Sequence, residues 1–317
     1  MNRQWLASVG FLFISCLRPS QDRAERDLEV GLANQAGIAV SVAEGLAVVR
    51  SLGESELVLW GSAPGFRFTL SLPEARELTI EVQNCLADAE LRVVNDAAVV
   101  ESLGEGEVPT RKRWRVTAAA GELSLALAAR DEDVEEPFRI ALLSDVQEAI
   151  DDVSDVFERV NQVSRLRFLL GAGDLTEQGT VEQLERFQRE LTRLKVPYFT
   201  TLGNHELGTA PDPYHDYFGR GNFQFRFRGV YFTLLDSASA SLDPIVYDWL
   251  DTWLAQAQRD VHVVAMHIPP IDPIGVRNGS WASRSEAAKL LGKLAQGHVD
   301  LTLYGHVHSY YSFDNAG

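Results

Sequence analysis

The sequence predicts an α/β domain preceded by a small all-β, sandwich-like domain, and three observations carry that reading. From Gly37 to about Arg130 the chain alternates apolar and polar residues in short runs broken by turn residues. After Pro137, longer apolar runs of strand character alternate with helical segments, the pattern of α/β architecture. The length, 317 residues, supplies two cores at roughly 100–200 residues per domain. With 45% hydrophobic and 23% charged residues the composition is that of a globular chain rather than a disordered one. The formal net charge of −16 repels polyphosphate backbones at long range and argues against binding to a nucleic-acid scaffold.

The N-terminus reads as an address. Residues 1–16 combine a positive start, an apolar run from Trp5 and a cysteine, Cys16. The run is shorter than the about 20 residues of a membrane span and has the make-up of a signal peptide. Phe13-Ile14-Ser15-Cys16 resembles the lipobox of bacterial lipoproteins, which implies cleavage before Cys16 and lipidation of its thiol. Leu17 is not the Asp that retains many such proteins at the inner membrane, so the expected location is the bacterial envelope at the outer membrane. The expected organisation is a lipoprotein-type signal peptide over 1–16, a polar linker over 17–36, the β domain over 37–130, an acidic linker over 131–137 and the α/β domain over 138–317. Once the chain is cut before Cys16 and that thiol is lipidated, Cys85 is the one free thiol and no intrachain disulfide can form.

Within the β domain seven short strands are expected, at 38–42, 57–60, 66–70, 78–82, 91–94, 113–117 and 123–127, enough for a sandwich. This region holds no His, Asp or Glu cluster at ligand spacing, so its expected role is a spacer or a module that contacts a glycan or a protein. In the second half, strands are expected at 139–143, 166–170, 198–202, 230–235, 261–266 and 300–304. Helices are expected near 149–163, 180–194, 244–258 and 283–296. Thr180 with Gln183, and Ser283 with Glu286, have capping-box spacing.

Every one of these later strands except 230–235 ends in polar residues with ligand chemistry. They are Asp145-Val146-Gln147, Gly173-Asp174, Gly203-Asn204-His205-Glu206, His267, and Gly305-His306-Val307-His308. Ligands of open α/β sheets bind beyond the carboxyl ends of the strands. The set suits two divalent cations about 3.5–4 Å apart, which need a bridging carboxylate, oxygen and nitrogen ligands, and an open bridging position for hydroxide. Asp174, preceded by a glycine, is the natural bridge, and His306 and His308 can each face one ion. Two ions bring about +4; less one each for Asp145, Asp174 and hydroxide, about +1 remains, so an anionic phosphate ester can bind inside an acidic protein.

In order, Asp-x-Gln, Gly-Asp in a loop closed by Gly179, Gly-Asn-His-Glu, a strand-end His and Gly-His-x-His resemble the motifs of the calcineurin-like metallophosphoesterases over roughly residues 138–312. The resemblance implies a four-layer α/β/β/α domain that hydrolyses a phosphomonoester or phosphodiester. It implies Asp145, Gln147, Asp174 and His308 around one metal, and Asp174, Asn204, His267 and His306 around the other. It places the catalytic His205 beside the substrate, assisting the leaving oxygen. Glu206, next in the chain, is a candidate to orient it from behind. Most members have Asp-x-His in the first motif; here Gln147 offers a neutral amide oxygen, which favours Mn²⁺ or Mg²⁺ over Zn²⁺. Manganese-dependent ADP-ribose and CDP-alcohol pyrophosphatases are similar in carrying Gln at this place. The expected cofactors are two divalent ions, Mn²⁺ first, with Fe, Zn or Mg as alternatives. Members usually continue past the last motif with strands that close the second sheet, whereas this chain stops at Gly317, as a truncated or a minimal version.

His215 and Arg220, in an expected loop over 207–224, and Arg277, in the loop 268–282, are candidates to shape a substrate pocket, with a solvated loop as the alternative. The expected partners are a phosphate-ester small molecule and, through the lipid anchor, a membrane. The competing reading is a non-catalytic envelope binding lipoprotein with a vestigial metallophosphoesterase domain. Gln147 and the short C-terminus favour it; intact Asp174, Asn204, His205, His267, His306 and His308 count against it.

Overall fold

The computed structural model describes residues 20–95, 98–210, 212–275 and 279–314; the segment expected to be a signal peptide, with Cys16, and Arg277 lie outside the described residues. A short helix, α1 (Ser20–Asp27), leads into ten strands: β1 (Leu32–Gln35), β2 (Ile38–Val42), β3 (Ala47–Leu52), β4 (Glu56–Gly61), β5 (Phe66–Leu72), β6 (Arg76–Gln83), β7 (Glu90–Val93), β8 (Ala98–Glu105), β9 (Arg111–Ala118) and β10 (Gly121–Ala128). They form two five-stranded sheets, β1-β2-β5-β10-β7 and β3-β4-β6-β9-β8. Alternate residues such as Val40, Phe68, Leu70 and Leu125 from one sheet, and Leu59, Ile80, Val82 and Val116 from the other, bury a common core.

Three of these strands lie outside the seven expected. β1 is Leu-Ala-Asn-Gln and mostly exposed, so it shows no apolar alternation. The register of β3 shifts between Val49 and Ser51, and that of β8 between Ser102 and Glu105, which breaks the two-residue period on which the expectation relied.

The second half contains β11 (Arg139–Leu143), α2 (Val153–Val160), β12 (Leu166–Ala172), α3 (Val181–Leu191), β13 (Tyr198–Thr201), α4 (Tyr214–Phe218), β14 (Phe223–Phe227), β15 (Val230–Leu235), α5 (Pro244–Ala257), β16 (Val261–Met266), α6 (Arg284–Gln296) and β17 (Leu301–Tyr304). β11, β12 and β13 make one parallel sheet; β14-β15-β16-β17 make the other, parallel apart from the β14–β15 hairpin. Strand alternation sorts the apolar side chains into layers. Phe168, Leu170 and Phe199 face Phe225, Phe232, Leu234, Val263 and Ala265 between the sheets. Leu169 and Tyr198 point the other way, onto Phe157 of α2 and Leu184 and Phe187 of α3. Leu235, Val264 and Met266 point onto Val246 and Leu250 of α5 and Leu290 of α6. The result is helices, sheet, sheet, helices. Thr180 and Gln183 close the capping box of α3, whereas Ser283 caps α6 alone, because Glu286 instead accepts from the Leu242 N–H.

The β domain packs directly on this frame, and its core is continuous with the core between the two sheets. The Asn84 side chain donates to the Tyr198 carbonyl and accepts from the Tyr198 N–H at the start of β13, both at 2.8 Å. Ser62 donates to the Phe218 carbonyl, and the Trp60 ring meets Phe218 edge-on. The segment 207–224, expected as a loop, is therefore held between the two domains, and it contains α4 and the start of β14.

The segment expected as a polar linker over 17–36 is corrected by α1. This helix buries Arg23, Ala24 and Asp27. An apolar stripe is the usual mark of a docked helix, and α1 lacks one because charges are what it buries. Arg23 donates to Asp236, and Asp27 accepts from the Gly221 and Asn222 N–H groups, the Asn222 amide and the His215 ring.

Burial alone would lower the His215 pKa, but the neighbouring Asp212 and Asp27 carboxylates, the latter bonded to Nε2, raise it to about 9 from 6.5. A folded-state pKa above the unfolded one stabilises fully below the unfolded value, and the gain is lost as pH rises through the folded value. His215→Gln should therefore lower the melting temperature most at about pH 6, with the gap to wild type shrinking as pH rises from 6.5 through about 9. An equal gap at both ends of that range would contradict a charged His215.

Candidate active site

Because the strands within β11-β12-β13 and within β15-β16-β17 run parallel, their carboxyl ends deliver their loops to one edge of each sheet. Asp174, after β12, is 1% exposed and lies where these loops meet. Its Oδ2 is 2.7 Å from Gln147 Nε2 and 3.1 Å from His267 Nε2, and its Oδ1 accepts from the His205 N–H at 2.9 Å. His267 Nε2 is also 3.0 Å from Asn204 Oδ1. Ligand-type atoms of Asp174, His267 and His306 all lie within 4.8 Å of one another. Asp145 completes the other side: its carboxylate accepts from the His306 N–H, and its Oδ1 is 3.3 Å from His308 Nε2. Gln147, Asp174, Asn204, His205, His306 and His308 line a cavity of about 360 Å³.

Tight backbone geometry brings these groups so close. Asp145 (φ 59°), Gln147 (44°), Asp174 (53°), His306 (71°) and His308 (50°) all occupy the left-handed region, five of twelve such non-glycine residues among those described. Each such residue costs of order 1–3 kcal/mol, a strain that the surrounding structure must hold in place. Two glycines give the loops room. A Cβ at Gly203 would overlap the Asp174 carboxylate, and one at Gly305 would overlap Ser144 and Asp145.

The donor set fits divalent cations. His267 Nδ1 is fixed on the Ala172 carbonyl at 2.7 Å, which turns Nε2 toward the cluster, the usual arrangement of a metal-binding imidazole. That one nitrogen then faces two acceptor oxygens, from Asn204 and Asp174, and a carboxylate, amide oxygens and imidazoles are the ligands of Mn²⁺- and Zn²⁺-type ions. Burial opposes ionisation of Asp174, but the His267 hydrogen bond and charge outweigh it and hold the carboxyl below its ordinary pKa. Burial, followed by the nearby His267, depresses the His306 pKa, which favours the neutral, ligating ring.

His205 sits at the cavity wall, partly exposed. Its Nδ1 lies 2.8 Å from the Glu177 carbonyl, so the N–H at that position is fixed and Nε2 is left toward the cavity, 3.9 Å from Asp174 Oδ2. Glu206 does not stand behind this ring as expected. Its buried carboxylate accepts from the backbone N–H groups of Asp174, Thr176 and Gly203, joining the loops after β12 and β13. Burial, with the Asp174 charge adding to it, raises the Glu206 pKa to about 7 against the pull of those N–H donors. Sequence spacing carries no trace of that role, since it depends on two loops meeting.

Two of the expected substrate contacts lie elsewhere. His215 is 3% exposed, with Nε2 on Asp27 at 3.1 Å and Nδ1 3.6 Å from Asp212, which leaves no surface for a substrate. The Arg220 guanidinium packs on the turn at Gly45, beside Glu44 and Asp27, and is absent from the cavity lining. Both were misassigned because a cation on a connecting segment looks the same whether it faces a ligand or an internal carboxylate. Asp236, at the end of the one strand to which no ligand was ascribed, binds Arg23.

A four-layer frame with carboxylates, imidazoles and amides gathered at its strand ends defines a metal-dependent phosphoesterase domain. Residues 138–310 match the calcineurin-like phosphoesterases, and the chain belongs to that family. It is 29% identical over 168 residues to a 3',5'-cyclic-nucleotide phosphodiesterase of Nostoc sp. (strain PCC 7120), covering 48% of this chain and 60% of that protein. It is 32% identical over 57 residues to a probable cyclic nucleotide phosphodiesterase of Xenorhabdus bovienii, covering 18% of this chain and 23% of that one. The chain thus spans less than two thirds of either relative. Among solved structures, a glucosidase II alpha subunit aligns with a TM-score of 0.18 at 8% identity over 76% of this chain and 33% of its own, too little to bear on the fold.

Glu206→Gln retains the shape but turns an NH₂ toward backbone donors. It should cost about 1–3 kcal/mol in urea unfolding and weaken divalent-ion binding about 10–100-fold by calorimetric titration. Unchanged ion affinity in a destabilised but folded variant would show that the two loops hold their geometry without it.

Proposed function

We propose that this chain hydrolyses a phosphodiester of the cyclic-nucleotide type with two divalent ions held side by side at Asp174. The observation that supports this most is the convergence of Asp145, Gln147, Asp174, Asn204, His267, His306 and His308 from five strand ends, with Gln147, Asp174, Asn204, His306 and His308 lining one open cavity. Asp145, Gln147, Asp174 and His308 would hold one ion; Asp174, Asn204, His267 and His306 would hold the other. When bound, such a pair supplies Lewis-acid stabilisation of phosphoryl oxygens and makes water a stronger nucleophile near neutral pH. The names of the two curated relatives support the diester class. The Gln147 amide, a neutral oxygen donor in place of imidazole, weights the site toward Mn²⁺.

His205 does the proton work. Its Nδ1–H rests on the Glu177 carbonyl, so the protonated ring carries its second proton on Nε2, at the cavity. Water supplies the oxygen of the new P–O bond and releases a proton to solvent, the bond to the departing alcohol breaks, the Nε2 proton goes to that alkoxide, and the ring regains a proton from solvent before the next turnover. The Glu177 carbonyl keeps the ring from rotating between turnovers, and Gly203 leaves the Asp174 carboxylate in place beside it.

Metal-stripped protein reconstituted with Mn²⁺ should hydrolyse bis-p-nitrophenyl phosphate and a 3',5'-cyclic nucleotide faster than protein given Zn²⁺. His205→Ala should keep its metal and lose roughly 10²–10⁴ in turnover. A rate no higher than that of Asp174→Ala on any phosphate ester would remove the hydrolase reading, and loss of metal from His205→Ala would make that ring a ligand.

A further inference from the structure

Helix α1 reaches the site through two short lines of hydrogen bonds. In the first, Arg23 Nε donates to Asp236 Oδ2 at 2.6 Å, while its Nη2 donates to Asp236 Oδ1 at 3.2 Å and to Ser239 Oγ at 2.9 Å. These contacts fix the turn after β15. The neighbouring Ser237 Oγ accepts from the Ile268 N–H at 2.8 Å, and Ile268 directly follows His267. In the second line, Asp27 accepts from the N–H groups of Gly221 and Asn222 and from the Asn222 amide at 2.7, 3.1 and 2.8 Å. The Gly221 carbonyl in turn accepts from Thr201 Oγ1 at 2.7 Å, at the end of β13 and three residues before Asn204. A cross-link joins the two lines, as the Asp236 N–H donates to Asn222 Oδ1 at 2.9 Å.

The first line ends one residue after His267 and the second three residues before Asn204, and these two side chains touch at 3.0 Å. The opposite half of the site is held differently: Asp145 and Gln147 hang on the Gly173 and Asp174 carbonyls through their N–H groups. We propose that Arg23 and Asp27 are positioning residues for one of the two ion positions, the one formed by Asp174, Asn204, His267 and His306. The proposal rests on the two-ion reading above.

The chemistry of the network favours this over a purely stabilising role. Arg23, Asp27, Asn222, Asp236 and Ser237 are all buried. A buried ion pair is a poor source of net stability, since apolar side chains of similar volume do as well or better. What charged, bidentate contacts add is direction. Here that direction fixes the ends of β13 and β15 and Ile268, the residue after His267. β15 is also the strand whose end supplies no ligand, so its Asp236 acts on the neighbouring strand end through Ser237 rather than on an ion.

The test is a Mn²⁺ titration of the metal-free whole chain by calorimetry, with bound metal counted by elemental analysis, for wild type, Arg23→Lys and Asp27→Asn. Ser237→Ala, which breaks the first line by one oxygen, decides the matter if the helix variants do not fold. Wild type should take up two ions. The variants should bind the first with unchanged affinity and the second about 10–100-fold more weakly, and their turnover should return to the wild-type level at saturating Mn²⁺. Equal affinity for both ions in the folded variants, or equal weakening at both positions, would overturn the proposal. Wild-type protein that takes up fewer than two ions would overturn the two-ion reading, and the proposal with it.

Discussion

The Asp174 carboxylate, buried and ionised, is the constraint around which the catalytic edge of this molecule is built. Removing a carboxylate from water is costly unless every lone pair is met. Here Oδ1 takes the His205 N–H, and Oδ2 is shared by Gln147 and His267. The same residue organises its surroundings through its backbone: the Asp174 carbonyl accepts from Val146 and Gln147, and its N–H is held by Glu206. One residue thereby ties the ends of β11, β12, β13 and β16. One nitrogen, His267 Nε2, faces acceptor oxygens from both Asn204 and Asp174, a surplus of acceptors that a cation would balance.

Holding five non-glycine residues in left-handed backbone requires rigid surroundings, and the molecule supplies them from three sides. The four-layer frame fixes the strand ends. Glu206 joins two of the loops from beneath. Ser62 of the β domain and Asp27 of α1 grip the segment between the Gly-Asn-His-Glu motif and β14, and Asn84 holds the start of β13. The β domain is thus in direct packing contact with the phosphoesterase frame, whatever else its outer surface contacts.

Much of this was legible in the sequence because these residues interrupt strong patterns. An apolar strand that ends in Gly-Asp or Gly-His-x-His marks both the strand and its polar end, so Asp145, Gln147, Asp174, Asn204, His205, His267, His306 and His308, which the structure brings to one edge, stand out in the sequence alone. What was hidden depends on partners distant in sequence. Nothing near Arg23 in the chain indicates that Asp236 lies beside it, and a helix that docks through charge leaves no apolar stripe. Glu206 was placed behind His205 because the two are adjacent in sequence, but its side chain points to the loop after β12. His215 shows the converse error: a histidine in a connecting segment was read as facing outward, whereas Asp27, from nearly two hundred residues earlier, turns it inward. For β14 a signal existed, the alternation Phe223, Phe225, Phe227, which the neighbouring glycines obscured.

The central claim is that Asp174 lies between two ions. The most direct measurement is anomalous diffraction at the manganese edge from Mn²⁺-soaked crystals. The account predicts two peaks about 3.5–4 Å apart, both within bonding distance of Asp174, one flanked by Gln147 and His308 and the other by Asn204 and His267. A single peak, or well-ordered side chains around no peak at full Mn²⁺ loading, would contradict it.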